Sequence, residues 1–112
     1  MAGKPMPASP VLSRLYFGLD SHQGPILPAD FDAFVDTCIT PRFPEGLTRF
    51  QADGQWKGKG DTVLKERSVV IEIVRTFSED GNRKVREIVE SYKRRFLQEA
   101  VMVVETRPEV RF

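Results

Sequence analysis

The run Ser68-Val69-Val70-Ile71-Glu72-Ile73-Val74 holds five β-branched side chains in seven residues. Branching at Cβ stiffens χ1 and suits a pleated surface better than a helix. The run therefore predicts a strand from Lys65 or Glu66 to Phe77, and its density predicts a central one. A chain with one central strand of this kind must supply neighbours for both its edges and cover for at least one face.

The neighbours are legible from period-2 alternation. Between Val11 and Asp20, Val11, Ser13, Leu15, Phe17 and Leu19 share one side and Leu12, Arg14, Tyr16 and Gly18 the other. Gly46 to Trp56 reads as a further strand, joined to the central one by a polar tip of Gly54, Gly58 and Gly60 with Lys57, Lys59 and Asp61. A last strand begins in Ala100 to Val104 and runs toward Phe112, with Pro108 near its end. Cover comes from two helical stripes. Phe31, Phe34, Val35 and Cys38 recur at helical spacing after Pro28, which a first helical turn tolerates, and this helix ends at Thr40-Pro41. After a turn at Glu79-Asp80-Gly81-Asn82, the residues Val85, Ile88, Val89, Tyr92 and Phe96 form the second stripe. Its wet faces offer the i,i+4 pairs Arg83 with Glu87, Arg86 with Glu90, and Glu90 with Arg94.

The order β-α-β-β-α-β predicts a ferredoxin-like α+β sandwich: a four-stranded antiparallel sheet with both helices on one face and strands one and three at its centre. At 112 residues this is one domain, residues 11–112, after a mobile tail over 1–10. The uncovered face would carry Leu12, Arg14, Tyr16, Val70, Glu72, Val74, Met102 and Val104. Arg14 and Glu72 would be neighbours there, best read as a structural ion pair. So apolar a face predicts a homodimer through it, or a ligand cleft.

Composition excludes several classes of function. Seventeen basic against sixteen acidic residues give a net charge of +1, too little for long-range attraction to nucleic acid or an anionic membrane. Cys38 is the only cysteine and His22 the only histidine, so no disulfide or Cys/His zinc site forms within one chain, and no metal or other cofactor is expected. Cys38 lies on the apolar stripe of the first helix, where an inert buried thiol is expected. Met1 to Pro10 holds three prolines and no apolar core, which predicts neither a signal peptide nor a membrane span, and a cytoplasmic protein.

The polar signal is the corner Thr40-Pro41-Arg42-Phe43-Pro44-Glu45-Gly46-Leu47-Thr48. Two prolines fix φ and hold Arg42 between them. Arg42, Gln55, Trp56, Glu66, Tyr92, Gln98 and Glu99 all fall at or beside element ends. The structural reading has Arg42 bridging to Glu99 or Glu66, locking the first helix's exit to the sheet. The binding reading makes Arg42 a clamp for a small anionic or aromatic ligand, with Trp56 and Tyr92 as walls and Gln55 and Gln98 as donors. The catalytic alternative adds Glu99 or Glu66 as general base in a cofactor-independent proton transfer or isomerisation. The lysines of Lys57-Gly58-Lys59-Gly60 are ordinary hairpin chemistry and lack the helix that a P-loop needs. The leading expectation is a non-catalytic binding or interaction module.

Several pieces together resemble domain of unknown function family 3574. They are Tyr16-Phe17-Gly18-Leu19, Phe31 with Phe34-Val35-Asp36, Thr40-Pro41-Arg42-Phe43-Pro44, Gly46-Leu47-Thr48, Gly54-Gln55-Trp56, Glu66 with Ser68, and Tyr92 with Arg95-Phe96 and Gln98-Glu99. The resemblance implies a small α+β domain with no assigned reaction. Many members resemble exported proteins, whereas Met1–Pro10 carries no such leader, and Ala100 stands where relatives often have Ser.

Overall fold

The β-branched run forms the middle of the longest strand in a computed structural model of the chain, which describes residues 5–112. The strands are β1 (Pro10–Gly18), β2 (Thr48–Lys57), β3 (Val63–Thr76) and β4 (Met102–Thr106). They form one sheet in the order β2-β3-β1-β4 with every neighbouring pair antiparallel. Two helices, α1 (Pro28–Phe34) and α2 (Glu79–Phe96), cover one face, giving the ferredoxin-like arrangement. A two-residue hairpin, Asp20–Ser21 against Gly24–Pro25, links β1 to α1.

The alternation of β1 assigns its faces as expected. Val11, Leu15 and Phe17 are buried under the helices with Val69, Ile71 and Ile73 of β3. Phe17, Phe31, Phe34 and Tyr92 meet largely edge to face, with ring centroids 4.7–6.2 Å apart, and Phe96 joins Phe34 and Tyr92 from the end of α2. Cys38 is a buried free thiol in the same core.

Boundaries differ where local chemistry overrides the pattern. The residues Glu79-Asp80-Gly81-Asn82 are not a turn but the opening of α2. Ser78 caps it, its Oγ accepting from the Gly81 N–H at 2.9 Å, and the two acids complement the positive helix end. Beyond α1 the helix widens over Val35–Ile39, where the Thr40 N–H reaches five residues back to the Val35 carbonyl at 2.9 Å. β3 starts earlier than expected, at Val63, and β4 stops at Thr106, short of Pro108, which has no N–H for a ladder. Of the expected 1–10 tail, residues 1–4 lie outside the described region; Pro10 already pairs with Thr76, and the Phe77 N–H donates to the Ser9 carbonyl at 3.1 Å.

The uncovered face carries the residues its alternation assigns. Arg14 pairs with Glu72 at 2.5 Å, while Val74, Met102 and Val104 are exposed, as is Phe50 of β2. Past the pair Gly18–Ser68, β2 and β3 continue as a two-stranded ribbon beyond the end of β1.

Candidate functional site

The last residue of β1 is where polar side chains converge. Gly18 pairs with Ser68, so Glu66, two residues earlier on β3, shares the uncovered face with it. Glu66 folds over the glycine: a Cβ on Gly18 would lie 2.0 Å from Glu66 Oε1 and 3.4 Å from Gln98 Oε1. Only the absence of a side chain admits the carboxylate there, which gives Gly18 a packing reason rather than a conformational one. From the other side the Tyr92 hydroxyl donates to the Gly18 carbonyl at 2.6 Å. The chain leaves α2 through Leu97 in the left-handed region (φ 54°), and this turns Gln98 back so that its Nε2 donates to the Asp20 carbonyl at 2.9 Å.

The electrostatics of the cluster follow from this packing. Partial burial, reinforced by the charge of Asp20, holds the Glu66 carboxyl above the usual range. Glu66 makes no ion pair among the described residues. Burial, then the charge of Glu66, pushes the Tyr92 phenol up, so it stays a neutral donor. Trp56, 62 % exposed, faces Leu64 two pairs further along the ribbon and so on the same face as Glu66. A carboxylate of raised proton affinity with no cation beside it can accept a proton or receive a positively charged group.

Three of the seven expected site residues, Glu66, Tyr92 and Gln98, therefore meet. Gln55 alternates to the opposite face from Trp56, so the two do not form one wall. Glu99 is exposed beside Gln98. Arg42 stands elsewhere, and its partner is neither Glu99 nor Glu66. Its Nε donates to Glu87 Oε1 at 3.2 Å and its Nη1 to the Cys38 carbonyl at 2.9 Å. The corner meets α2 near Glu87, and nine helical residues, about 14 Å of rise, separate Glu87 from the end of α2 that carries Glu99. Arg42 thus ties the exit of the first helix to the second helix, not to the sheet. Of the expected helix-surface pairs, Arg83 with Glu87 forms, whereas Glu90 is met by Lys93.

A second polar cluster lies on the helix side and has no counterpart in the expectations. Arg75, 6 % exposed, donates from Nε to Ser13 Oγ at 3.1 Å and from Nη2 to Asn82 Oδ1 and Glu105 Oε2, both at 2.8 Å. Ser13 Oγ donates to the same Glu105 oxygen at 2.5 Å. Partial burial pushes Glu105 up, but the Ser13 and Arg75 hydrogen bonds and the Arg75 charge outweigh it and hold the carboxyl below its ordinary value. A Cβ on Gly81 would lie 2.6 Å from Arg75 Nη1, so the first turn of α2 must be bare where the guanidinium passes. The sequence signal was present: Arg75 alternates in phase with Val69, Ile71 and Ile73 onto the covered face, where a cation needs partners. Among the described residues no three His, Cys, Asp or Glu side chains gather as a metal site.

A family model described as "Protein of unknown function (DUF3574)" matches residues 12–112. No curated protein matches the sequence. Among solved structures, a phage SAM lyase in complex with S-methyl-5'-thioadenosine is similar at 21 % identity and a TM-score of 0.71, over 96 % of this chain and 88 % of that one. A phage SAM lyase in the apo state is similar at 22 % identity and a TM-score of 0.65, over 86 % and 78 % respectively. Likeness at this identity establishes the shared fold.

Proposed function

We propose that this chain, which belongs to the DUF3574 family of proteins of unknown function, is a cofactor-independent enzyme for a small, positively charged organic molecule, with Glu66 as proton acceptor. The observation that carries the reading is the Glu66 carboxylate, raised in proton affinity, held over Gly18 and left without a cation. Tyr92 and Gln98 are positioning residues: they brace the Gly18 and Asp20 carbonyls and so hold the end of β1 under the carboxylate. Trp56 and Leu64 supply an apolar flank. The fold it shares with a phage SAM lyase suggests a sulfonium compound as the first substrate class to try. The ligand-binding form of the non-catalytic reading used Arg42 as an anion clamp, and it has less support because Arg42 is committed to Glu87 and Cys38.

A second copy of the chain completes the reading. The uncovered face presents Phe50, Val74, Met102 and Val104 around the neutralised Arg14–Glu72 pair, a surface without net charge that suits self-association. That face is continuous with Glu66, so a partner seated on it would wall the side of the site that its own chain leaves open.

Calorimetry with SAM, S-methyl-5'-thioadenosine and a panel of small ammonium and sulfonium compounds tests the substrate class. A permanent positive charge should give SAM at least about tenfold tighter binding than the neutral thioether. Glu66→Gln should remove that preference, and with it any turnover, while remaining folded. Equal binding of charged and neutral ligands, or a Glu66→Gln protein that behaves as wild type, contradicts the reading.

A further inference from the structure

A groove of about 590 Å³ lies away from Glu66, between α2 and the edge strand β4. Val11, Val85, Val89 and Val103 make its apolar lining, and Arg86 and Arg107 stand along it. The acids that line the groove already have partners: Glu105 is held by Arg75 and Ser13, and Glu90 by Lys93 at 3.5 Å. The two arginines are different. Neither Arg86 nor Arg107 forms an ion pair among the described residues. Arg107 is nevertheless ordered by its neighbour, its guanidinium carbon 3.9 Å from the centroid of the Phe77 ring. An apolar trough with two uncommitted guanidinium groups has the complement of a small amphipathic acid.

We infer that this groove is a second ligand site, which binds a monocarboxylate with an aliphatic or aryl body. The body lies on the valines, and the carboxylate is received by Arg86 and Arg107, whose planar forks match its two oxygens. The site is separate from the Glu66 cluster and does not depend on its chemistry.

The test is an amide NMR titration of the full chain with hexanoate, hexan-1-ol and acetate. Hexanoate should shift Val85, Val89, Val103, Arg86 and Arg107, and bind at least about tenfold tighter than either hexan-1-ol or acetate, since only it satisfies both halves of the groove. The double variant Arg86→Gln/Arg107→Gln should lose the tenfold advantage of hexanoate over hexan-1-ol with an unchanged melting curve, both side chains being exposed. Val89→Trp, which fills the trough, should abolish the shifts. Equal affinity for hexanoate and hexan-1-ol, shifts centred elsewhere, or no shifts would overturn the inference.

Discussion

Tyr92 combines two roles that a single substitution separates. Its ring is fully buried in the aromatic cluster, while its hydroxyl ends on the Gly18 carbonyl. Tyr92→Phe keeps the packing and orphans a buried acceptor, so chemical denaturation should show a loss of about 1–3 kcal/mol. Glu66 should act in the opposite direction. Its folded pKa lies above its unfolded value of about 4.3, so the fold favours the protonated form. The stability linked to Glu66 is therefore full below pH ~4.3 and is lost as pH rises through the raised folded value. Glu66→Gln, a permanent mimic of the neutral acid, should melt at or above wild type at pH 7 and lose that advantage by about pH 4. A variant that melts lower at pH 7 would contradict the uncompensated carboxylate. Both residues were visible in the sequence as parts of a candidate set, but their meeting point was not. It depends on Gly18 having no Cβ, a close approach that one sequence marks only as a glycine in a strand. Arg42 shows the converse: a conspicuous, rigid corner whose partner was set by which turn of α2 it meets.

At the level of elements, the Arg75 network is what fastens β4 to the rest. β4 pairs only with β1 and covers five residues, so its hold on the sheet is short. Arg75, Ser13 and Glu105 link β3, β1 and β4, and Asn82 adds α2. Arg75→Leu should cost about 2–3 kcal/mol, because it leaves Ser13 and Asn82 without their donor and Glu105 without its charge. Hydrogen exchange should show the β4 amides opening first. In the wild type the same amides should loosen in acid, since Glu105 is held low and its stabilisation is lost as pH falls through that lowered value. Unchanged β4 exchange in Arg75→Leu would refute the fastening role. Element order and strand phase were legible because alternation and helical stripes are set locally. The start of α2 was not, since Glu79-Asp80-Gly81-Asn82 has turn composition and only the Ser78 cap and the passing guanidinium explain it as helix. The widened end of the first helix left no signal in side-chain spacing, for Phe31, Phe34, Val35 and Cys38 fit an ordinary stripe equally well.

For the molecule as a whole, the exposed sheet face and the ribbon beyond β1 set the question of assembly. If a second copy covers that face, sedimentation should give a concentration-dependent dimer or higher assembly. Phe50→Lys, on an exposed position of β2, should shift it to monomer without unfolding. A monomer at all concentrations would defeat the proposal of self-association. No described helix is long and apolar enough to cross a membrane. The two places proposed for small molecules, the Glu66 cluster at the end of β1 and the groove beside β4, lie on opposite faces of one sheet. The claim on which the functional reading stands is the state of Glu66. A carbon-detected NMR titration of its side-chain carboxyl measures that directly. The midpoint should lie above that of an ordinary glutamate and fall when SAM is bound beside it; an ordinary or depressed midpoint, unmoved by SAM, would contradict an uncompensated Glu66 that receives a cation.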